Sequence, residues 1–117
     1  MIGVDILEVA RIEEAIKNRN FCKRVFTEDE LAYAKECKNI ASHLTGFFCA
    51  KEAVMKALED CKKLSFLDIE VCHNASGKPF VKLYKKAKKI FENNNYKNIE
   101  ISISQTENYA TAFCLIF

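Results

Sequence analysis

A chain of 117 residues has the length of one domain, since domains run to about 100–150 residues, and a single domain over residues 1–117 is expected. Half of the residues are hydrophobic and 29% are charged, the balance of a soluble globular protein. A net charge of +2 is too small to draw nucleic acid by bulk electrostatics, and no apolar run approaches the roughly 20 residues that span a bilayer, so neither nucleic acid nor membrane is an expected partner.

Three glycines and one proline leave no flexible linker. Residues 1–7, MIGVDIL, are apolar, but Asp5 interrupts them and no basic segment precedes them, so no export signal is visible. The six cysteines, at 22, 37, 49, 61, 72 and 114, form no CxxC pair and sit mostly in apolar or helical patterns. Reduced thiols in a cytoplasmic protein are therefore expected, and a structural zinc site is not.

In chain order, residues 1–7 alternate as a strand, with Ile2, Val4 and Ile6 on one face and Gly3 and Asp5 on the other. A helix is predicted over roughly residues 8–19, burying Val9, Ile12 and Ile16. Thr27 and Glu30 form a capping box that starts a second helix running to about residue 37. A longer third helix spans roughly residues 40–60. Leu67, Ile69 and Val71 alternate with Asp68, Glu70 and Cys72 in a strand, and Asn74 to Gly77 mark a turn before a short strand from Pro79. Lysines 85, 86, 88 and 89 alternate with Ala87, Ile90 and Phe91 on a helix whose lysines form a solvated face. Two strands close the chain. Ile99, Ile101 and Ile103 oppose Ser102 and Ser104. Residues 109–117, YATAFCLIF, are apolar on both faces, so that strand is central in a sheet or covered by another subunit. The predicted class is α+β, a mainly antiparallel sheet with a long helix packed on it.

Two features carry chemistry. Asp5 places a carboxylate in a short apolar strand, where it must be paired, hydrogen-bonded or metal-bound; capping the next helix is the equal alternative. On the long helix, at about 100° per residue, Ile40, Leu44, Phe47, Val54 and Leu58 share a stripe that Lys51 interrupts. Glu52 and Lys56 flank the stripe one turn apart. An ordinary Glu52–Lys56 ion pair accounts for the flank, but not for Lys51 in the stripe, since lysines are rarely buried unpaired. Carboxylates on two elements with lysines beside one of them suit Mg²⁺ holding a polyphosphate. A GxxxxGK[ST] phosphate loop and a GxSxG elbow are both absent. His43 and His73 are isolated in sequence and read as surface or strand residues.

The stretches Ile2-Gly-Val-Asp5-Ile-Leu-Glu8-Val-Ala-Arg11-Ile12 and Phe48-Cys-Ala-Lys51-Glu52-Ala-Val-Met-Lys56-Ala57-Leu58 resemble the holo-acyl carrier protein synthases, the small bacterial 4'-phosphopantetheinyl transferases. The resemblance continues through Phe26-Thr27-Glu28, Asp68-Ile-Glu70-Val, Gly77-Lys78-Pro79 and Ile103-Ser104 with Tyr109-Ala110, in order along nearly the whole chain. It implies that family's fold and the transfer of the phosphopantetheine arm of coenzyme A to a serine of apo-acyl carrier protein, releasing adenosine 3',5'-bisphosphate, a reaction of fatty acid biosynthesis. It also implies Mg²⁺ on Asp5 and Glu52, catalysis by Asp5, Glu52 and Lys56, and coenzyme A contacts from Lys51, Lys56, Gly77, Lys78, Pro79, Ser104 and Gln105. A homotrimer with sites between subunits follows from the same resemblance, as does carrier docking on Arg11 and Arg24. Relatives usually carry Arg where this chain has Phe47, a Gly-rich loop where it has Glu59-Asp-Cys-Lys-Lys63, and His where it has Gln105. Those positions are associated with the nucleotide end of coenzyme A. Two other readings are a catalytically silent homologue that binds coenzyme A or carrier protein, and a metal-dependent hydrolase that cleaves coenzyme A without a carrier.

Overall fold

The computed structural model describes residues 1–59 and 64–117. Strand β1 (Ile2–Glu8) leads into helix α1 (Val9–Ala15), followed by α2 (Arg19–Val25), α3 (Glu28–Lys35) and the long α4 (Ile40–Ala57). After a 3-10 turn at Phe66–Asp68 come β2 (Ile69–His73), β3 (Pro79–Leu83), α5 (Lys85–Asn93), β4 (Ile99–Gln105) and β5 (Tyr109–Ile116). All pairings are antiparallel. One sheet has the order β1-β5-β4 and the other is the β2-β3 hairpin. The α+β class and the long helix on an antiparallel sheet are as the pattern implied.

Helix α4 lies across one face of the three-stranded sheet, touching β1, β5 and β4. Its Ala50, Ala53 and Val54 are fully buried against the inward-facing Ala110, Ala112, Cys114 and Ile116 of β5. Small residues at this contact let the helix come very close. A Cβ added to Gly3 would lie 1.9 Å from the Ala53 carbonyl oxygen, so only glycine fits there.

Several boundaries differ from the pattern. The helix expected over 8–19 stops at Ala15, and a separate helix begins at Arg19. The Asn18 side chain accepts hydrogen bonds from the amides of Asn20 and Phe21 at 2.9 and 3.3 Å and caps that new start. Leu67 and Asp68 form the 3-10 turn rather than the start of a strand, with the Ser65 hydroxyl accepting from the Leu67 amide. The capping box at Thr27 and Glu30 is present in both directions. β5 is central, as one of its two alternatives held, yet its second face, with Tyr109 and Phe113, stays exposed. Cysteines 22, 37, 49, 72 and 114 carry free thiols.

Candidate active site

Alternation in β1 turns Gly3 and Asp5 toward α4, and the close approach at Gly3 brings the helix flank against Asp5. The Lys56 ammonium lies 3.2 Å from Asp5 Oδ1 and donates to the Val4 carbonyl at 2.9 Å. Asp5 therefore does not cap α1; that helix is preceded by Glu8, whose side chain makes no capping bond. Nor is Lys56 held by Glu52 along the helix, since its ammonium is turned to the strand.

Glu52 stands in the field of Asp5. Burial pushes its carboxyl above the ordinary range, Asp5 pushes it further, and Lys56 opposes both. One turn earlier, the buried Cys49 thiol is pushed up to about 12 by burial and then by the two carboxylates. Two carboxylates at the edge of a buried helix could serve as donors to a hard cation, whose charge would offset their repulsion. No group of three or more His, Cys, Asp or Glu side chains converges among the described residues. The pair therefore fits an ion that takes its other ligands from water and phosphate oxygens, which is the habit of Mg²⁺.

Lys51, expected among the coenzyme A contacts, is enclosed instead. Both it and Glu30 are fully buried, with Nζ 2.6 Å from Glu30 Oε1. The ammonium also donates to the carbonyls of Val25 and Phe66. Glu30 accepts in addition from the amides of Thr27 and Val71, both at 2.8 Å. The lysine that breaks the apolar stripe is thus a buried cross-link between α2, α3, α4 and the 3-10 turn, with no surface left for a ligand.

The remaining expected residues fall into separate groups. Ser104 and Gln105 border a small cavity of about 130 Å³ beside Ile6 and Tyr109. Gly77, Lys78 and Pro79 form the β2–β3 turn, where Gly77 has φ +87°, and Lys78 lies 3.8 Å from Glu100 of β4. Asp5 sits on β1, at the opposite edge of the β1-β5-β4 sheet. Arg11 borders an apolar depression of about 220 Å³ formed with Leu7, Ile12, Ala15, Phe21 and Phe48. Arg24 is exposed on α2. Of the Glu59–Lys63 departure, residues 60–63 lie outside the described residues.

The two histidines, which read as isolated, come together. The Tyr33 and His73 rings stack at 3.8 Å, and buried Phe47 packs against both. His43 lies 3.4 Å from the Gln105 amide, and its charge, after burial, lowers the affinity of His73 for a proton. Their sequence separation concealed this. Gly46 allows the contact: a Cβ there would lie 2.9 Å from Gln105 Oε1, so helix and strand end meet at that point.

Residues 1–114 match the model of the 4'-phosphopantetheinyl transferase superfamily, ACPS. The chain is 43% identical over 116 residues to the holo-[acyl-carrier-protein] synthase of Caldanaerobacter subterraneus, covering 97% of this chain and 91% of that one. It is 46% identical over 117 residues to the enzyme of that name from Clostridium botulinum strain Alaska E43, covering 98% and 94%. Its fold matches the crystal structure of Helicobacter pylori holo-[acyl-carrier-protein] synthase in complex with coenzyme A, with TM-score 0.87, 33% identity and full coverage of both chains.

Proposed function

The chain belongs to the 4'-phosphopantetheinyl transferase superfamily as a holo-[acyl-carrier-protein] synthase, and from that premise we propose that it moves the phosphopantetheine arm of coenzyme A to a serine of apo-acyl carrier protein in a Mg²⁺-dependent reaction that releases adenosine 3',5'-bisphosphate. The observation that carries the finer reading is the meeting of Asp5, Glu52 and Lys56 where β1 crosses α4.

Asp5 and Glu52 would hold the cation, which when bound supplies Lewis-acid polarisation of the pyrophosphate. Lys56, fixed between Asp5 and the Val4 carbonyl, places positive charge where the leaving phosphate gains negative charge. The carrier serine attacks the β-phosphorus in line, and Glu52 or a water held beside it takes the serine proton. Arg11 beside its apolar depression offers an acidic carrier a charged and an apolar contact at once, with Arg24 as a second charged point.

The exposed apolar face of the sheet and the placement of the 77–79 turn at the edge opposite Asp5 support a homotrimer in which neighbouring copies complete each site. Ser104, Gln105 and the 77–79 turn then hold the coenzyme A nucleotide across that boundary. A cytoplasmic setting and a place in fatty acid biosynthesis belong to the same proposal.

Mass measurement of apo-carrier protein after incubation with coenzyme A and Mg²⁺ tests the reaction. Gain of one phosphopantetheine arm is expected. An unchanged carrier with intact coenzyme A leaves only a binding role, and cleaved coenzyme A with an unchanged carrier leaves a hydrolase. Glu52→Gln should lower turnover at least about 100-fold; near-normal turnover at saturating Mg²⁺ removes Glu52 from the chemistry.

A further inference from the structure

A groove of about 330 Å³ lies between β3, the second half of α5 and the start of β4. That volume reaches the range of small-molecule sites, which begins near roughly 300 Å³. Its walls are apolar because three elements contribute their inward positions. Val81 and Leu83 come from one side of β3, Phe91 from α5 and Ile99 from β4. Val81 is buried and the other three are half-buried. The walls are held in place. Tyr96 packs on the Phe91 ring at 5.8 Å, and the amides of Lys97 and Asn98 donate to the Phe117 carbonyl at 2.8 and 2.7 Å. At the other end of the helix the Tyr84 amide donates to the Asp68 carbonyl at 2.8 Å.

The rim is charged, and unevenly so. Lys88 of α5 and Lys97 stand on it with Glu92, and none of the three enters an ion pair among the described residues. Lys85, Lys86 and Lys89 are exposed on the same helix, which makes the field over the groove positive. An apolar trough below two ammonium groups fits a molecule with an apolar chain and an anionic head. The lysine stems pack along such a chain while their heads meet the anion. A neutral hydrocarbon gains nothing from the lysines, and a cationic amphiphile is repelled by them. We propose that this groove binds a single-chain fatty carboxylate. Its tail lies along Val81, Leu83, Phe91 and Ile99, and its carboxylate lies between Lys88 and Lys97. Asp5 stands on β1, at the opposite edge of the sheet from β4, so the groove is separate from the candidate active site. The proposal does not rest on the transferase reading.

Titration of the full-length, methyl-labelled protein with hexanoate, octanoate and decanoate, each below its micelle-forming concentration, decides the point. Saturable shifts of the Val81, Leu83 and Ile99 methyl groups are expected, with affinity rising about threefold per methylene along the series. Decyltrimethylammonium should bind about fivefold more weakly than decanoate. Lys88→Glu with Lys97→Glu, both exposed, should reverse that order while the melting temperature stays near that of the wild type. Equal affinity for the two head groups overturns the proposal, as does affinity that ignores chain length or the absence of any saturable shift. Displacement of decanoate by coenzyme A overturns it too, because the groove would then belong to the transferase substrate. Methyl shifts that follow protein concentration alone have the same effect, since a second copy would then fill the groove.

Discussion

Lys51 and Glu30 show how one residue pair holds several segments. Burial alone pushes the Glu30 carboxyl up and the Lys51 ammonium down, and each partner offsets part of that for the other. Lys51→Met leaves Glu30 buried with two backbone amides and no countercharge, and should cost about 3–5 kcal/mol in urea unfolding. Adding Glu30→Gln should return part of that loss, because an uncharged amide needs no partner charge; equal stability of wild type and Lys51→Met would show that the pair contributes nothing. His73 gives a separate, pH-dependent prediction. Its folded proton affinity lies below the ordinary value of 6.5, through burial first and His43 second. The unfolded chain therefore binds more protons as pH falls through that range, so stability declines on acidification and levels off below the folded value. His73→Phe keeps the stack on Tyr33 and should flatten the fall of melting temperature between about pH 7 and pH 5. An unchanged slope would assign the acid sensitivity elsewhere.

Among the elements, the crossing of α4 over β1 decides whether a site exists. The helix approaches until the Ala53 carbonyl occupies the space a side chain at residue 3 would need. Gly3→Ala must push strand and helix apart, at a cost of about 1–3 kcal/mol in stability. Because Asp5 and Lys56 meet across the same seam at 3.2 Å, turnover should fall further than the lost stability explains. Thermal melts beside steady-state rates separate the two effects; a stable Gly3→Ala protein with full activity would mean the seam can widen without harm. The helix at Arg19–Val25 has a smaller lesson. Ile16 continues the apolar stripe of α1, which made 8–19 read as one helix, but Asn18 offers the backbone a cap and divides it.

For the whole molecule, the sheet has two unlike faces. One is covered by α4, while the other presents Ile2, Val4, Ile6, Tyr109 and Phe113, each between 43% and 65% exposed. It is the surface on which the proposed contact between copies would form. Val4→Lys with Phe113→Lys, a cross-strand pair on that face, should convert an oligomer to monomers in sedimentation and lower turnover, if neighbouring copies complete the site. A wild-type protein that already sediments as a monomer at micromolar concentration would remove the trimer from the proposal.

The sequence by itself determined the α+β class, the antiparallel pattern and the Thr27 capping box, because alternation, helical period and capping are local and leave direct traces; it pointed to Asp5, Glu52 and Lys56 without deciding their roles. It also carried the family resemblance, through two motifs that stand in order along the chain. Only the tertiary structure decided what those residues touch. It gave Lys56 to Asp5 rather than to Glu52, closed Lys51 against Glu30, and set His43 and His73 into one cluster with Phe47 and Gln105. The reason is physical: such contacts join residues dozens of positions apart, and their partners are fixed by the closeness of helix and sheet, which no periodicity records.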